Sequence, residues 1–257
     1  MSRSNRRTGA APRRLWELDL FRGFAILNMA LFHFLFDLKY FGIHPSVERV
    51  RSWPEFFWSN YSTGISAAFL SLVGIAATVR ASQLGSANLK TFLSPAKRVL
   101  TGALIVTAIS FIFNPELPIF FGILHCIGLS LLLLPLYLKL GRWNLLLGSL
   151  MLPIGHWMNN QPVHFKTLVW FGLKPTPMPM GDYYPLLPWS GLILIGIGFS
   201  FLFELSKKEN LLPQNWKHSS LARSLSFLGR HSLLIYLIHQ PIILVLTSLV
   251  GLTRFPH

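Results

Sequence analysis

Charged residues are scarce in this 257-residue chain: they make up 12% of it, whereas 52% of the residues are hydrophobic. A soluble domain carries about a quarter charged residues, so the composition excludes an ordinary soluble enzyme and indicates a membrane protein. Cysteine is nearly absent as well. The single Cys126 excludes an intramolecular disulfide framework and a zinc cluster of the CxxC type, and it leaves the redox compartment open.

Acidic residues are also few, since 9 Asp and Glu stand against 23 Lys and Arg and give a formal net charge of +14. In a soluble protein this excess would first suggest a nucleic acid partner. Here the basic residues lie between apolar runs rather than in one stripe, and membrane proteins concentrate Lys and Arg in their cytoplasmic loops. We therefore expect a lipid bilayer as the partner and no nucleic acid.

Several catalytic motifs are missing from the sequence. It contains no GxSxG elbow, Walker loop, HExxH pair or paired cysteines, so a serine hydrolase and an ATP-driven pump have no support. No internal repeat is evident, which argues against a transporter built from inverted repeats.

Seven apolar runs reach or approach the ~20 residues that are needed to cross ~30 Å of hydrocarbon. They cover residues 18–38, 61–79, 98–113, 118–138, 143–158, 183–204 and 226–251. We expect a basic cytoplasmic tail at 1–17 and a single transmembrane domain at 18–257. The predicted fold class is all-α, a polytopic membrane bundle of about seven transmembrane helices.

Loop charges predict the orientation of this bundle. If the basic tail is cytoplasmic, seven alternating spans place most Lys and Arg on the cytoplasmic side, as the positive-inside rule requires. A cleaved signal peptide is the alternative interpretation of the N-terminus, but Glu17, Asp19 and Arg22 interrupt the apolar region that it would need. We therefore predict a multi-pass integral membrane protein with its N-terminus in the cytoplasm.

The first span carries four ionisable residues, which inside a membrane usually mark function. At ~100° per residue, Asp19, Arg22 and His33 share one face of the helix. His33 and Asp37 are one turn apart, so the carboxylate can accept a hydrogen bond from the imidazole and raise its basicity. We take His33 and Asp37 as candidate catalytic residues. The alternatives are an orienting Asp19–Arg22 ion pair and an interhelical hydrogen bond at His33 and Asp37.

Later spans contribute two more histidines. We predict that His125 and His239 lie at depths similar to His33 and line one polar cavity with it, together with Asp19. None of these histidines shows the i,i+3 or i,i+4 spacing of paired ligands on one helix, so no metal is expected. Each could instead be a packing histidine that bonds a backbone carbonyl.

A third candidate group opens the seventh span, where Arg230, His231 and Ser232 follow Gly229. Cationic side chains at a helix start suit a phosphate group, which free backbone N–H groups also attract. The alternative for Arg230 is ordinary snorkelling of a cytoplasmic arginine.

Four sequence blocks resemble the heparan-alpha-glucosaminide N-acetyltransferase catalytic-domain family, whose many bacterial members span the membrane several times. The blocks read RLWELDLFRGFA at 14–25, FGILH at 121–125, DYYPLLPW at 182–189 and GRHSLLIYLIHQP at 229–241. The resemblance implies an integral membrane acyltransferase. It would move an acetyl or other acyl group from cytoplasmic acetyl-CoA, its acyl donor, to a sugar or glycan acceptor on the outer side.

The resemblance also implies site residues. Related membrane acyltransferases have a pattern that falls on Asp19, Arg22, Gly23 and His33. In the eukaryotic enzyme an outer histidine after the first span is implicated. The colinear position in this chain is His44. At the position that corresponds to His33, the eukaryotic enzyme has an Asn. His33 and His44 therefore both remain candidates, and because this chain is shorter than the eukaryotic enzyme, its glucosamine acceptor is not carried over.

Three functions compete at this point. In the leading hypothesis Arg22, Arg230 and His231 bind the phosphates or pantetheine arm of acetyl-CoA, and a histidine deprotonates the acceptor or carries the acyl group. The second hypothesis is a proton-coupled transporter or flippase that uses the Asp and His residues as a relay. The third is a non-catalytic membrane scaffold. A homo-oligomer is compatible with all three.

Overall fold

Nine α-helices form within the residues that the computed structural model describes, which are 15–42, 48–175, 177–208 and 210–252, and no β-strand forms there. The helices are α1 Trp16–Phe41, α2 Glu48–Arg51, α3 Glu55–Leu84, α4 Leu89–Phe113, α5 Ile123–Tyr137, α6 Asn144–Asn159, α7 Leu186–Leu202, α8 Ser220–Arg230 and α9 Ser232–Leu249. Short 3-10 turns occur at Leu138–Trp143, Leu205–Lys207 and Gln214–His218.

Five helical stretches of the described chain are long and apolar enough to cross a membrane. They are Trp16–Phe41, Glu55–Leu84, Leu89–Phe113, Ile123–Asn159 and Ser232–Leu249, and the apolar helix Leu186–Leu202 is shorter. The prediction of an all-α, polytopic membrane bundle is confirmed. Helices coincide with all seven predicted spans, while the number of crossings and the cytoplasmic N-terminus stay predictions.

The stretch Ile123–Asn159 is a helical hairpin rather than one long helix. Gly141, in the turn between α5 and α6, has φ 52° and ψ −128°, which a residue with a side chain rarely adopts. Near the start of α5, the Cys126 thiol lies 3.9 Å from the Pro185 carbonyl oxygen. Near the end of α6, a Cβ on Gly155 would lie 2.4 Å from the Pro188 nitrogen. Both ends of the hairpin therefore meet the start of α7, so α5 and α6 run in opposite directions.

Helix α7 is buried between α3 and α6 and packs on both through glycine contacts. A Cβ on Gly196 would lie 2.1 Å from the Ser71 carbonyl oxygen of α3, and one on Gly148 of α6 would lie 2.4 Å from that of Gly191. Small residues allow helix backbones to approach this closely, which is how helices associate where lipid removes the hydrophobic driving force. α7 is therefore a central helix of the bundle, in close backbone contact with its neighbours.

The predicted starts of the fourth and sixth spans, residues 118 and 183, are too early. The residues that precede α5 and α7 are extended and pair with each other, since the Tyr184 N–H donates to the Phe121 carbonyl at 2.9 Å. Pro185 is the N-cap of α7. It has no N–H of its own, and it disfavours helical backbone at the residue before it. The pairing brings two of the family-like sequence blocks together.

The predicted seventh span, 226–251, is two helices. His231 interrupts it with φ −104° and ψ 14°, so the residues before it belong to α8. α8 packs across the start of α1, where a Cβ on Gly229 would lie 1.8 Å from the Asp19 carbonyl oxygen. As a consequence His239 lies about 10 Å along α9 from its first residue, at the ~1.5 Å rise of a helix, rather than ~20 Å from the start of a longer span.

Candidate active site

Two histidines from the two ends of the described chain meet at the interface of α1 and α9. The ring centroids of His33 and His239 are 4.7 Å apart, and the rings are steeply inclined at 74°. Asp37 lies one turn further along α1 on the same face, and Gln240 follows His239 on α9. These four side chains form what we call the α1–α9 site.

Backbone carbonyls determine which nitrogen of each imidazole carries the proton. The Nδ1 of His33 lies 2.9 Å from the Met29 carbonyl oxygen, and the Nδ1 of His239 lies 2.7 Å from that of Tyr236. A carbonyl oxygen only accepts, so both Nδ1 atoms carry hydrogen and both Nε2 atoms keep a lone pair. The Nε2 of His239 is buried and has no hydrogen-bond partner. The site therefore offers imidazole nitrogens that can take up a proton.

Asp37 has a different partner from the one expected. The carboxylate is 1% exposed, and both of its oxygens accept from the Gln240 Nε2 at 3.0 Å. The predicted His33–Asp37 hydrogen bond is not formed, because the Met29 carbonyl, one turn back on α1, takes the Nδ1 of His33. Gln240 was missed by the sequence analysis, although an amide inside an apolar span was a usable signal.

His125 has a structural role that the sequence analysis did not distinguish. Its Nδ1 accepts from the Gly122 N–H at 3.2 Å, so it caps the start of α5. Its Nε2 lies 3.4 Å from the Thr107 hydroxyl, which donates to the Ile119 carbonyl at 2.8 Å. Because both ring nitrogens are engaged, His125 is less suited to proton transfer than His33 or His239.

Tyr236 connects these two groups of histidines. Its ring centroid lies 5.7 Å from that of His239, and it borders the same small gap as His125 and Asp182. The structure therefore brings His33 and His239 into contact and places His125 beyond the tyrosine ring, in a second polar cluster.

Asp182 lies in the segment before α7 and belongs to this second cluster. Its Oδ2 accepts from the Ile123 N–H at 3.2 Å, and a Cβ on Gly122 would lie 2.4 Å from the same oxygen, so only glycine leaves room for the carboxylate. Burial raises the pKa of Asp182 to about 6, and the Ile123 N–H opposes that rise.

An Asp182→Asn variant is expected to change the pH dependence of stability. Because the folded-state pKa of Asp182 is about 6, above the ~4 of an unfolded aspartate, the folded protein holds this proton more tightly. The stability that this gives is fully present below about pH 4 and is lost as the pH rises through 6. Asparagine keeps an oxygen for the Ile123 N–H and does not titrate.

The measurement is the melting temperature in detergent at about pH 5 and about pH 7.5. On acidification, the melting temperature of the wild type should rise more than that of Asp182→Asn. Equal rises in the two proteins would mean that Asp182 is already ionised at the lower pH.

The cationic candidates lie at the other end of α1. The Arg22 guanidinium is 3.2 Å from the Asp19 carboxylate, with Asp19 buried and Arg22 about a quarter exposed. The next residue, Gly23, is in direct backbone contact with α8, since a Cβ there would lie 1.8 Å from the Leu225 carbonyl oxygen. The Asp19–Arg22 ion pair is thus formed, beside the α1–α8 crossing.

Arg230 and His231 are brought to the same crossing by the fold. The residue before them, Gly229, lies against Gly23, with its nitrogen 3.0 Å from a Cβ placed there. Both Arg230 and His231 are exposed. The backbone segments that carry Arg22 and Arg230 are therefore in contact, although they are far apart in the sequence.

Two further predictions concern the position of His44 and a metal site. His44 lies outside the described residues, so its position relative to the α1–α9 site is not described. Within the described ranges no group of three or more His, Cys, Asp or Glu side chains is placed to hold a metal ion.

Comparison with known proteins gives one match. The sequence model of the family described as heparan-alpha-glucosaminide N-acetyltransferase, catalytic, matches residues 14–241. The match runs from the start of α1 through Gln240, so it includes all four residues of the α1–α9 site. Searches of the curated proteins and of the solved structures returned no match.

Proposed function

The chain belongs to the heparan-alpha-glucosaminide N-acetyltransferase catalytic family, and we propose that it moves an acetyl group from cytoplasmic acetyl-CoA to a sugar or glycan acceptor on the outer side of the membrane. At the coarser level it is a membrane-embedded transferase. The observation that carries the finer proposal is the His33–His239 pair, which brings two imidazole rings into contact between two candidate membrane-spanning helices, with the Nε2 of His239 buried and without a hydrogen-bond partner.

In the proposed reaction His33 is the general base. Its Nε2 takes the proton from an acceptor hydroxyl or amine while that oxygen or nitrogen attacks the thioester carbonyl carbon. The C–S bond then breaks, and the proton passes to the departing thiolate, so that CoA leaves as the thiol. In a second route the acyl group is held for a time on a histidine nitrogen. Asp37 lies beside the pair and is held by Gln240, and His44 is the alternative base.

The donor is proposed to bind at the α1–α8 crossing. Arg22 and Arg230 offer cations and His231 offers a hydrogen-bond donor to the phosphates of acetyl-CoA, and charge-assisted hydrogen bonds to phosphate are among the strong ones in proteins. Arg22 and His33 are eleven residues apart on α1, which is about 16 Å at the helical rise. The pantetheine arm has to bridge that distance so that the thioester reaches the α1–α9 site.

An Arg230→Gln variant is expected to weaken donor binding without slowing the chemistry. The loss of one charge-assisted contact should raise the KM for acetyl-CoA by about 10-fold or more, with kcat little changed. The matched control is Arg223→Gln on the same helix α8, also exposed, which should leave the KM unchanged. An equal rise in KM in both variants would indicate general attraction to a basic surface.

The proposed function is tested with radiolabelled acetyl-CoA. Purified protein in detergent or vesicles is incubated with the labelled donor and with envelope glycan, and label on glycan and release of free CoA are both measured. Transfer of label to glycan supports the proposal. If CoA is never released, whichever acceptor is offered, the acyltransferase proposal is wrong and a proton-coupled transporter becomes the hypothesis to test.

A further inference from the structure

Gln240 joins the two helices of the α1–α9 site in a way that a packing contact does not require. Its Nε2 donates to both oxygens of Asp37, which fixes the orientation of the amide, because the opposite orientation would point Oε1 at a carboxylate. The Oε1 is consequently left buried without a hydrogen-bond partner.

The hydrogen bond between Asp37 and Gln240 contributes little net stability to the packing of α1 on α9. A buried polar atom without a partner costs roughly 1–3 kcal/mol, and a buried carboxylate is costly to desolvate as well. An apolar pair at the same two positions would hold the helices at least as well. What a directional hydrogen bond adds is one fixed register between the helices.

The register that it fixes is the one that brings the histidines together. Asp37 lies one turn after His33 on α1, and Gln240 follows His239 on α9. When Asp37 and Gln240 are bonded, neither rotation nor sliding of α9 along α1 is free, and the His33 and His239 rings stay 4.7 Å apart.

We propose that Gln240 is a positioning residue, whose amide holds Asp37 and thereby sets the α1–α9 register in which His33 and His239 form a working pair. Its catalytic consequence rests on the proposed acyltransferase function. Its geometric part does not, so the two parts are tested by different measurements.

The geometric test is chemical cross-linking. In a Cys126→Ala background, the double variant His33→Cys/His239→Cys is treated with a short bis-thiol cross-linker, and the rate of bridge formation is followed by mass spectrometry. Adding Gln240→Met should slow bridging several-fold. Ile238→Met, a change at an exposed position one residue before His239, is the control and should leave the rate unchanged. Bridging at the same rate with Gln240→Met would overturn the proposal.

The catalytic test uses the otherwise wild-type protein. Gln240→Met should lower kcat by about 100-fold, the effect of a displacement of about 1 Å at a reacting group, while the KM for acetyl-CoA stays within about twofold because the α1–α8 crossing is untouched. An unchanged kcat, or an equal loss in Ile238→Met, would contradict a positioning role.

The Gln240→Glu variant distinguishes loss of the hydrogen bond to Asp37 from a general disturbance of helix packing. At low pH the new carboxyl group can share one proton with Asp37 and restore the bond, whereas at higher pH two carboxylates repel each other. Its activity relative to wild type should therefore fall more steeply with rising pH than that of Gln240→Met does. Asp37, His33 and His239 titrate in all three proteins, and Gln240→Met, which lacks both the amide and the new carboxyl group, is the reference for their contribution. A ratio for Gln240→Glu that falls no more steeply than that for Gln240→Met would contradict the proposal. If the wild type shows no acetyl-CoA turnover, the proposed function fails, and cross-linking alone decides on Gln240.

Discussion

A His33→Gln variant is expected to fold normally and to lose acyl transfer by about 1,000-fold, the usual range for removal of a general base. Glutamine retains an N–H that can donate to the Met29 carbonyl, as the Nδ1 of His33 does, so local packing is preserved. It has no nitrogen that can take a proton from the acceptor. The measurement is transfer of label from acetyl-CoA at saturating donor, with kcat falling and the KM for the donor unchanged.

The control for this loss is His156→Gln. His156 is exposed near the end of α6 and contacts Asn160 there, so its replacement should leave activity unchanged. Full activity in His33→Gln would show that His33 is not the base. If His44→Ala is then inactive, the base is His44, as the resemblance to the eukaryotic enzyme allows.

A Gly23→Ala variant is expected to destabilise the protein strongly. The added Cβ would lie 1.8 Å from the Leu225 carbonyl oxygen, and since this neighbour is backbone, α8 as a whole has to move away from α1. Overpacking of this kind costs typically 1–3 kcal/mol. With a shift of roughly 2–4 °C per kcal/mol for a chain of this size, we expect the melting temperature to fall by about 5 °C or more.

The matched control is Gly64→Ala on α3, where a new Cβ has no neighbour within 4 Å. Alanine is the better helix former, so this variant should melt at the wild-type temperature or slightly above it. Gly23→Ala should also raise the KM for acetyl-CoA, because Arg22 and Arg230 flank the crossing that is forced apart. A Gly23→Ala protein as stable as Gly64→Ala would mean that α1 and α8 do not pack in this way.

The helical architecture was accessible from the sequence because apolar length alone identifies a span. Helix ends were less accessible, since they depend on contacts between distant residues. Pro185 by itself does not say that Tyr184 will pair with Phe121 and keep the preceding residues extended. Likewise the polar residues at 230–232 do not by themselves say that the helix breaks at His231, where α8 packs across α1.

Three of the four residues of the α1–α9 site were predictable from the sequence, whereas Gln240 and the hydrogen bonds of the site were not. Spacing along one helix placed His33 and Asp37 on one face, and both do lie at the α1–α9 interface. The partner of His33 is a backbone carbonyl one turn back, which the spacing of side chains does not reveal, and the partner of Asp37 comes from another helix. The sequence also did not show that His125 and His239 differ in hydrogen bonding. That difference depends on whether the second ring nitrogen has a donor or acceptor nearby.

The origin of the two site histidines has a consequence for how the protein is made. His33 is on the first long helix of the described chain and His239 is on the last, so the pair does not exist until the ribosome has delivered both. A nascent chain that has released α1 through α7 into the membrane holds one imidazole without its neighbour. The pair therefore forms only when α9 has packed against α1, after both helices have been made.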